Sequence, residues 1–215
     1  HNLHALCDDI AAKDDDFHVI IREFGYPPLW TRSASFETLV HIILEQQVSL
    51  ASARAALEKL RERIGAITPE KVLQLSAEEL KACFFSRQKA LYAQELARAL
   101  VGGMLNLEGL STAPEELVRK ELTAIKGIGN WTADVYLIFV LRRADIFPVG
   151  DLAMVNALKE VKRLPAATSR DTLVSIAESW RPLRSIATML LWHYYIRKRG
   201  ISFPVPQPSG GSAPA

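Results

Sequence analysis

From Leu3 to about Lys198 the apolar residues recur at helical spacing, and nearly every run ends at a cap or a breaker. That pattern leaves room for little except packed helices. Residues 3–24 place Leu3, Leu6, Ile10, Phe17, Ile20, Ile21 and Phe24 at helical intervals and read as one helical run, stopped by Gly25 and Pro27–Pro28. A second helix is expected over 36–44. Ser49 reads as the N-cap of a long helix ending near Gly65, and Thr68–Pro69 is a cap followed by a first-turn proline. Ser76 and Glu79 have capping-box spacing. Residues 87–101 form a helix closed by Gly102–Gly103, and Pro114 opens another that runs to about Ile125. Further helices are expected over 130–141, 152–163, 169–179 and 183–198. No alternating strand pair and no solenoid-period repeat is found. The expected fold class is all-α. The last eleven residues, VPQPSGGSAPA, have the composition of a disordered tail.

Composition narrows the function classes. With 49% hydrophobic and 23% charged residues, 215 residues suffice for one domain or two small ones. Cys7 and Cys83 are too few for a disulfide framework, a four-cysteine zinc site or an iron–sulfur cluster, and both read as small buried hydrophobes. No apolar run reaches membrane-spanning length and no signal-peptide pattern opens the chain, so a reducing cytoplasm, or a nucleus in a eukaryote, is the expected compartment. The five histidines lack metal-ligand spacing, and Asp14-Asp15-Asp16 reads as a solvated acidic face.

A formal net charge of +2 excludes a polybasic binder that grips nucleic acid by charge alone. The average hides a division. Residues 1–25 carry a net of −4 and the remainder +6, with Arg181, Arg184, Arg197, Lys198 and Arg199 clustered in a stretch, 181–200, that has no acid of its own.

The most informative stretch runs from Leu122 to Asp151: helix, Gly-x-Gly turn, helix, short loop, carboxylate. Gly127 and Gly129 accept positive φ and let an anion approach the backbone without a Cβ in the way. The next helix starts at once, so its free N–H groups and positive dipole end point the same way. Taken alone, such a turn reads first as a plain helix–helix connection. Asp151, directly before a helix, reads first as an N-cap when taken alone.

The surrounding residues carry a resemblance. LTAIKGIGNWTADVYL at 122–137, VGD at 149–151, IILEQQVSLASARAA at 42–56 and WRPLRSIATMLLW at 180–192 resemble the helix-hairpin-helix DNA glycosylases, in particular the AlkA-type 3-methyladenine DNA glycosylases, over roughly residues 20–200. The enterobacterial form carries an extra N-terminal β domain for which there is no room before residue 20, so the likeness is to a compact version. The resemblance implies two helical subdomains flanking a DNA-binding cleft. Residues 1–35 would pack with the C-terminal helices of 150–204. Residues 36–149 would form the other subdomain, containing the helix-hairpin-helix at about 114–141, with 205–215 as the tail.

It also implies roles. Asp151 matches the catalytic aspartate, a fixed carboxylate that stabilises an oxocarbenium-like sugar and orients or deprotonates water. Trp131 stands where strand-nicking relatives place a lysine nucleophile. A tryptophan forms no Schiff base, so a monofunctional enzyme is implied. Trp131 and Trp192 match pocket tryptophans whose faces suit a cationic alkylated purine, and Trp30 and Tyr26 are candidates for further pocket walls. As plain core packing, each of these aromatics would need no ligand. Val135 and Leu152 replace two tyrosines of the enterobacterial site. Gln47 matches the wedge that fills the gap left by a flipped nucleotide, with Gln46 beside it; the bland alternative is a polar helix junction. Lys126, Gly127, Ile128 and Gly129 would contact phosphate. Carbonyls of Thr123, Ile125 and Ile128 match a family site for a monovalent cation. No organic cofactor is implied; the expected partner is duplex DNA containing alkylated bases, bound by a monomer. Two rival functions stay open: release of another lesion such as hypoxanthine or ethenoadenine, and a non-catalytic helix-hairpin-helix module.

Overall fold

The structure, a computed structural model, describes residues 3–201, and the tail expected at 205–215 lies outside that range. The described residues hold helices and no strand. The helices are α1 (Leu3–Lys13), α2 (Asp15–Phe24), α3 (Phe36–Glu45), α4 (Leu50–Ile64), α5 (Pro69–Leu73), α6 (Ala77–Ala82), α7 (Arg87–Val101), α8 (Leu107–Leu110), α9 (Glu115–Thr123), α10 (Asn130–Phe139), α11 (Leu152–Val161), α12 (Arg170–Glu178) and α13 (Arg184–Lys198).

Local chemistry sets most boundaries. Ser49, Thr68, Ser76 and Ser86 each accept a backbone N–H three residues on, and Ser76 with Glu79 closes both halves of the capping box. One boundary departs from the sequence reading. The run over 3–24 is two helices, because the Asp14 side chain accepts the Asp16 amide and restarts the chain as α2. Asp14 is also no solvated acid. Lys162 reaches its Oδ1 at 2.5 Å and the Trp180 indole donates to Oδ2 at 2.9 Å. Trp180, fully buried, meets the edge of Phe17 and of Phe147. A single carboxylate therefore joins the N-terminal helices to the C-terminal ones.

Two sets of helix contacts build the core. In one, α3 packs on α4, α7 and α10, α5 and α6 pack on α7, and α9 packs on α10. In the other, α1 and α2 pack on each other and on α13, and α13 packs on α11. The loop between α10 and α11 passes from the first set to the second. It is pinned by Ser185, whose Oγ accepts the Ile146 amide at 2.9 Å and donates to the Arg143 carbonyl at 2.6 Å. Arg184 adds a forked pair to Asp145 at 2.8 and 2.9 Å. Asp151 stands at the end of this anchored loop.

The basic cluster of residues 181–200 is largely neutralised by acids from elsewhere. Arg181 and Arg184 pair with Asp145 and Glu178, while Lys198 and Arg199 pair with Glu160.

Candidate active site

The carboxylate of Asp151 is buried and accepts three hydrogen bonds, two on Oδ1 and one on Oδ2. Its Oδ1 accepts the Met154 amide at 2.8 Å, which makes Asp151 the N-cap of α11, and the Trp192 indole N–H at 3.0 Å. Its Oδ2 accepts the Trp131 indole N–H at 2.7 Å. Capping and a further role are thus not alternatives. The cap fixes the carboxylate at a helix N-terminus, and the two indoles fix its plane. Trp131 comes from the first turn of α10 and Trp192 from the middle of α13, so both helix sets contribute to the site.

Behind Trp192 lies an aromatic layer. Its ring stacks on Phe139 at 5.1 Å, and Trp30, buried in the loop before α3, meets Phe139 edge-on at 6.3 Å. Tyr26 has different neighbours: its ring stacks on His4 at 4.1 Å and its hydroxyl donates to Asp8 at 2.8 Å, both on α1. Of the two positions matching family tyrosines, Val135 is buried within α10, while Leu152 is 77% exposed beside Asp151.

The hairpin lies between α9 and α10. Gly127 has φ +96, and a Cβ there would fall 2.0 Å from Cγ of Tyr92, so conformation and space both demand glycine. Gly129 differs. Its φ of −100 suits any residue, and a Cβ would meet nothing within 4 Å. It is the N-cap of α10 and supplies no side-chain cap, and nothing stands within 4 Å of the place its Cβ would take. Lys126 is exposed at the same turn, and Ile128 is buried beneath it. The Ile125 carbonyl accepts the Ile128 amide at 3.0 Å, so a cation held with the Thr123 and Ile128 carbonyls would share that oxygen with a turn bond.

Gln46 and Gln47 diverge. The Gln46 side chain donates to the Gly127 carbonyl at 2.9 Å and to Thr132 Oγ1 at 3.0 Å, tying the end of α3 to the hairpin. Gln47 is exposed and sits at φ +57, a left-handed conformation that a non-glycine residue adopts only at a cost of about 1 kcal/mol or more.

Three features went unread in the sequence. Phe139 joins Trp192 to Trp30. Glu45, 8% exposed at the end of α3, is held by Arg32 through a two-pronged bond of 2.9 and 2.8 Å. A carboxylate at the end of the apolar run IILE was the available signal, since a buried acid requires a partner. The third is a cavity of about 280 Å³ bounded by Trp30, Arg32, Thr38, His41, Glu45 and Phe139 among others.

Elsewhere on α10, Asp134 pairs with Arg119 of α9 at 2.5 Å. Burial pushes its carboxyl up to about 6, although Arg119 acts to lower it.

The sequence model of HhH-GPD superfamily base excision DNA repair proteins matches residues 40–182, which include Gln46, the hairpin and Asp151. DNA-3-methyladenine glycosylase 1 of Schizosaccharomyces pombe is 32% identical over 85% of this chain and 83% of its own length. A Bacillus subtilis DNA-3-methyladenine glycosylase is 28% identical over 80% of this chain, which spans 59% of that relative. A solved structure of the Schizosaccharomyces pombe 3-methyladenine DNA glycosylase in complex with abasic DNA superposes with a TM-score of 0.80, covering 87% of this chain and 95% of that one at 26% identity. The chain belongs to the HhH-GPD superfamily of base excision DNA repair proteins.

Proposed function

We propose that the protein is a monofunctional DNA glycosylase of base excision repair that hydrolyses the N-glycosidic bond of alkylated purines, chiefly 3-methyladenine, in duplex DNA. The observation that carries this reading is the Asp151 carboxylate, held by two indole N–H groups and a helix cap beside an aromatic layer. The names of its relatives point to the same substrates.

Each group has a physical task. A backbone phosphate is bound by the free amides of α10 at Gly129, with Lys126 alongside. Gln47, turned outward, enters the gap left in the stack when the lesion nucleotide rotates out. The extrahelical base stacks against indole. A base alkylated on a ring nitrogen is cationic, so the π faces attract it by about 1–2 kcal/mol when desolvated. It also leaves readily, taking the bonding electron pair and becoming neutral. Positive charge then develops on the sugar, where Asp151 stabilises it. Water adds at the anomeric carbon and gives up a proton, which the same carboxylate accepts. The balance needs water alone, and no organic cofactor enters the reading. Because Trp131 cannot form an imine, the strand is left intact. All these groups come from one chain, and we read the enzyme as a monomer.

The test is release of free base from duplex DNA treated with a methylating agent. Asp151→Asn is expected to lower release by at least about 10²–10³-fold, the range for loss of a preorganised electrostatic group, with duplex binding retained. Asparagine still caps α11 through its oxygen, but its amide nitrogen replaces the oxygen that accepts the Trp131 indole N–H, so a stability loss of about 1–3 kcal/mol is expected and is followed separately by urea melts. Wild-type protein that binds the duplex but releases nothing defeats the proposal. A borohydride-trapped covalent adduct defeats its monofunctional part.

A further inference from the structure

Gln47 is the first residue past the C-cap of α3, and its φ of +57 is the left-handed conformation in which glycine ends a helix without strain. A glutamine there keeps an exposed side chain at a conformational cost, and such a backbone persists where its surroundings over-determine it. Two ties supply that restraint. Lys89 of α7 donates to the Leu44 carbonyl, in the last turn of α3, at 2.7 Å. The Gln46 side chain donates to the Gly127 carbonyl at 2.9 Å and to Thr132 Oγ1 at 3.0 Å.

The second tie meets the hairpin where its direction is set. The Gly127–Ile128 peptide is held at both polar atoms, its carbonyl by Gln46 and its N–H by the Ile125 carbonyl at 3.0 Å. That peptide leads into Gly129, the N-cap of α10, and Thr132 lies in the first turn of α10. One amide group therefore fixes the backbone beside Gln47 against the N-terminus of α10.

We propose that Gln46 is a positioning residue that sets the register between the hairpin and Gln47, so that anchoring of the DNA backbone at α10 and filling of the gap by Gln47 act as one unit. The inference rests on the glycosylase reading, in which Gln47 is the wedge. Where α10 settles on a phosphate, the Gln46 bonds carry Gln47 to a fixed place in the stack. Without them the chain at 47 relaxes toward the right-handed region that glutamine prefers, and the side chain leaves that place. The α10 amides stay as they were, so plain duplex binding persists while preference for a gap is lost.

The experiment compares wild type, Gln46→Met, Gln47→Ala, the double variant of both, and Thr132→Val, which removes one acceptor and leaves Gln46 in place. Each is titrated against a duplex containing a tetrahydrofuran abasic site and against the same duplex undamaged. The ratio of the two affinities is the gap preference. Free-base release from methylated duplex is followed alongside. Gln47→Ala is expected to lower the preference about tenfold and Gln46→Met at least about fivefold. The double variant should stay within about twofold of Gln47→Ala, because losing the tie adds little once the wedge is gone. Thr132→Val should lower the preference about threefold, which keeps the test decisive if Gln46→Met does not fold. Affinity for the undamaged duplex should stay within about threefold of wild type throughout. The proposal is overturned if Gln46→Met and Thr132→Val keep the wild-type preference, or if the two single losses multiply in the double variant. It is equally overturned if both affinities fall together, as general loosening would make them. Gln47→Ala with the wild-type preference overturns it through the wedge reading, and wild type that binds both duplexes yet releases no base does so through the glycosylase reading. Both differ from a working wedge indifferent to Gln46, which sinks the coupling alone.

Discussion

The Trp192 indole N–H donates to Asp151 Oδ1 at 3.0 Å, on the same oxygen that accepts the Met154 amide. An indole N–H has no acceptor capacity, so it can only donate, and the carboxylate is the acceptor it meets. Trp192 is thus a clamp on the acid, and in the proposed function its ring also stacks on the base.

Trp192→Phe separates those two tasks. Phenylalanine keeps a ring that can stack on Phe139 but removes the donor. We expect release of the methylated base to fall about tenfold, equivalent to about 1.4 kcal/mol, a typical value for one hydrogen bond to a charged group. Trp192→Ala should lose substantially more, because the stack with Phe139 goes as well. Single-turnover kinetics at saturating enzyme measure this. A Trp192→Phe variant with the wild-type rate would mean that the N–H contributes nothing, and equal losses in the two variants would mean that the ring adds nothing beyond it.

The two hairpin glycines should respond oppositely to alanine. At Gly127 the added Cβ meets the Tyr92 ring in a left-handed backbone, and destabilisation of at least about 2 kcal/mol is expected. At Gly129 the backbone accepts alanine and the space is open, so stability should change by under about 0.5 kcal/mol. Yet in the proposed function that Cβ would stand where a phosphate approaches the α10 amides. Gly129→Ala should therefore weaken duplex binding severalfold with a normal unfolding midpoint. Denaturant melts and fluorescence anisotropy on the same samples test the pair, and a stable Gly127→Ala protein would refute the first half.

Binding should depend only modestly on salt. The anion site at α10 uses uncharged amides, and four cations of the C-terminal stretch are already paired with Asp145, Glu178 and Glu160. With about three phosphate contacts, the slope of log affinity against log salt would be about −3. Titrations between 50 and 300 mM salt would measure it. A slope near −7 or steeper would mean that those ion pairs open on DNA.

How much of this was legible in the sequence follows from which interactions are local. Caps at Ser49, Thr68 and Ser76 act within three residues, so their helices could be read directly. The resemblance singled out Trp131, Trp192 and Asp151, but no spacing rule could reveal that one carboxylate accepts from both indoles, because Trp192 lies 41 residues beyond it. Asp14 was misread for the same reason. An Asp-Asp-Asp run looks solvated until Lys162 and Trp180, about 150 residues away, are folded against it. The Arg32–Glu45 pair and the cavity beside it likewise exist only after the loop before α3 has closed onto Phe139 through the Arg32 amide.

Asp134 yields a prediction in pH. Burial raises its carboxyl to about 6, Glu115 and Asp151 act in the same direction, and Arg119 opposes them. In the unfolded chain the value returns to about 3.9. The folded state therefore binds the proton more tightly between about pH 4 and 6. The sign follows from linkage: the contribution of Asp134 to stability is fully present below the unfolded value and is lost as pH rises through the folded one. Asp145, Glu160 and Glu178 are held low by arginine and lysine partners and lose their contribution in acid, so total stability need not rise as pH falls. The difference between wild type and Asp134→Asn isolates the buried group. It should shift in favour of wild type by about 1–3 kcal/mol on going from pH 7 to pH 4. Urea melts of both proteins across that range would show it. A difference flat in pH would mean that Arg119, at 2.5 Å, compensates the burial of Asp134 in full and keeps the α9–α10 clamp ionised throughout.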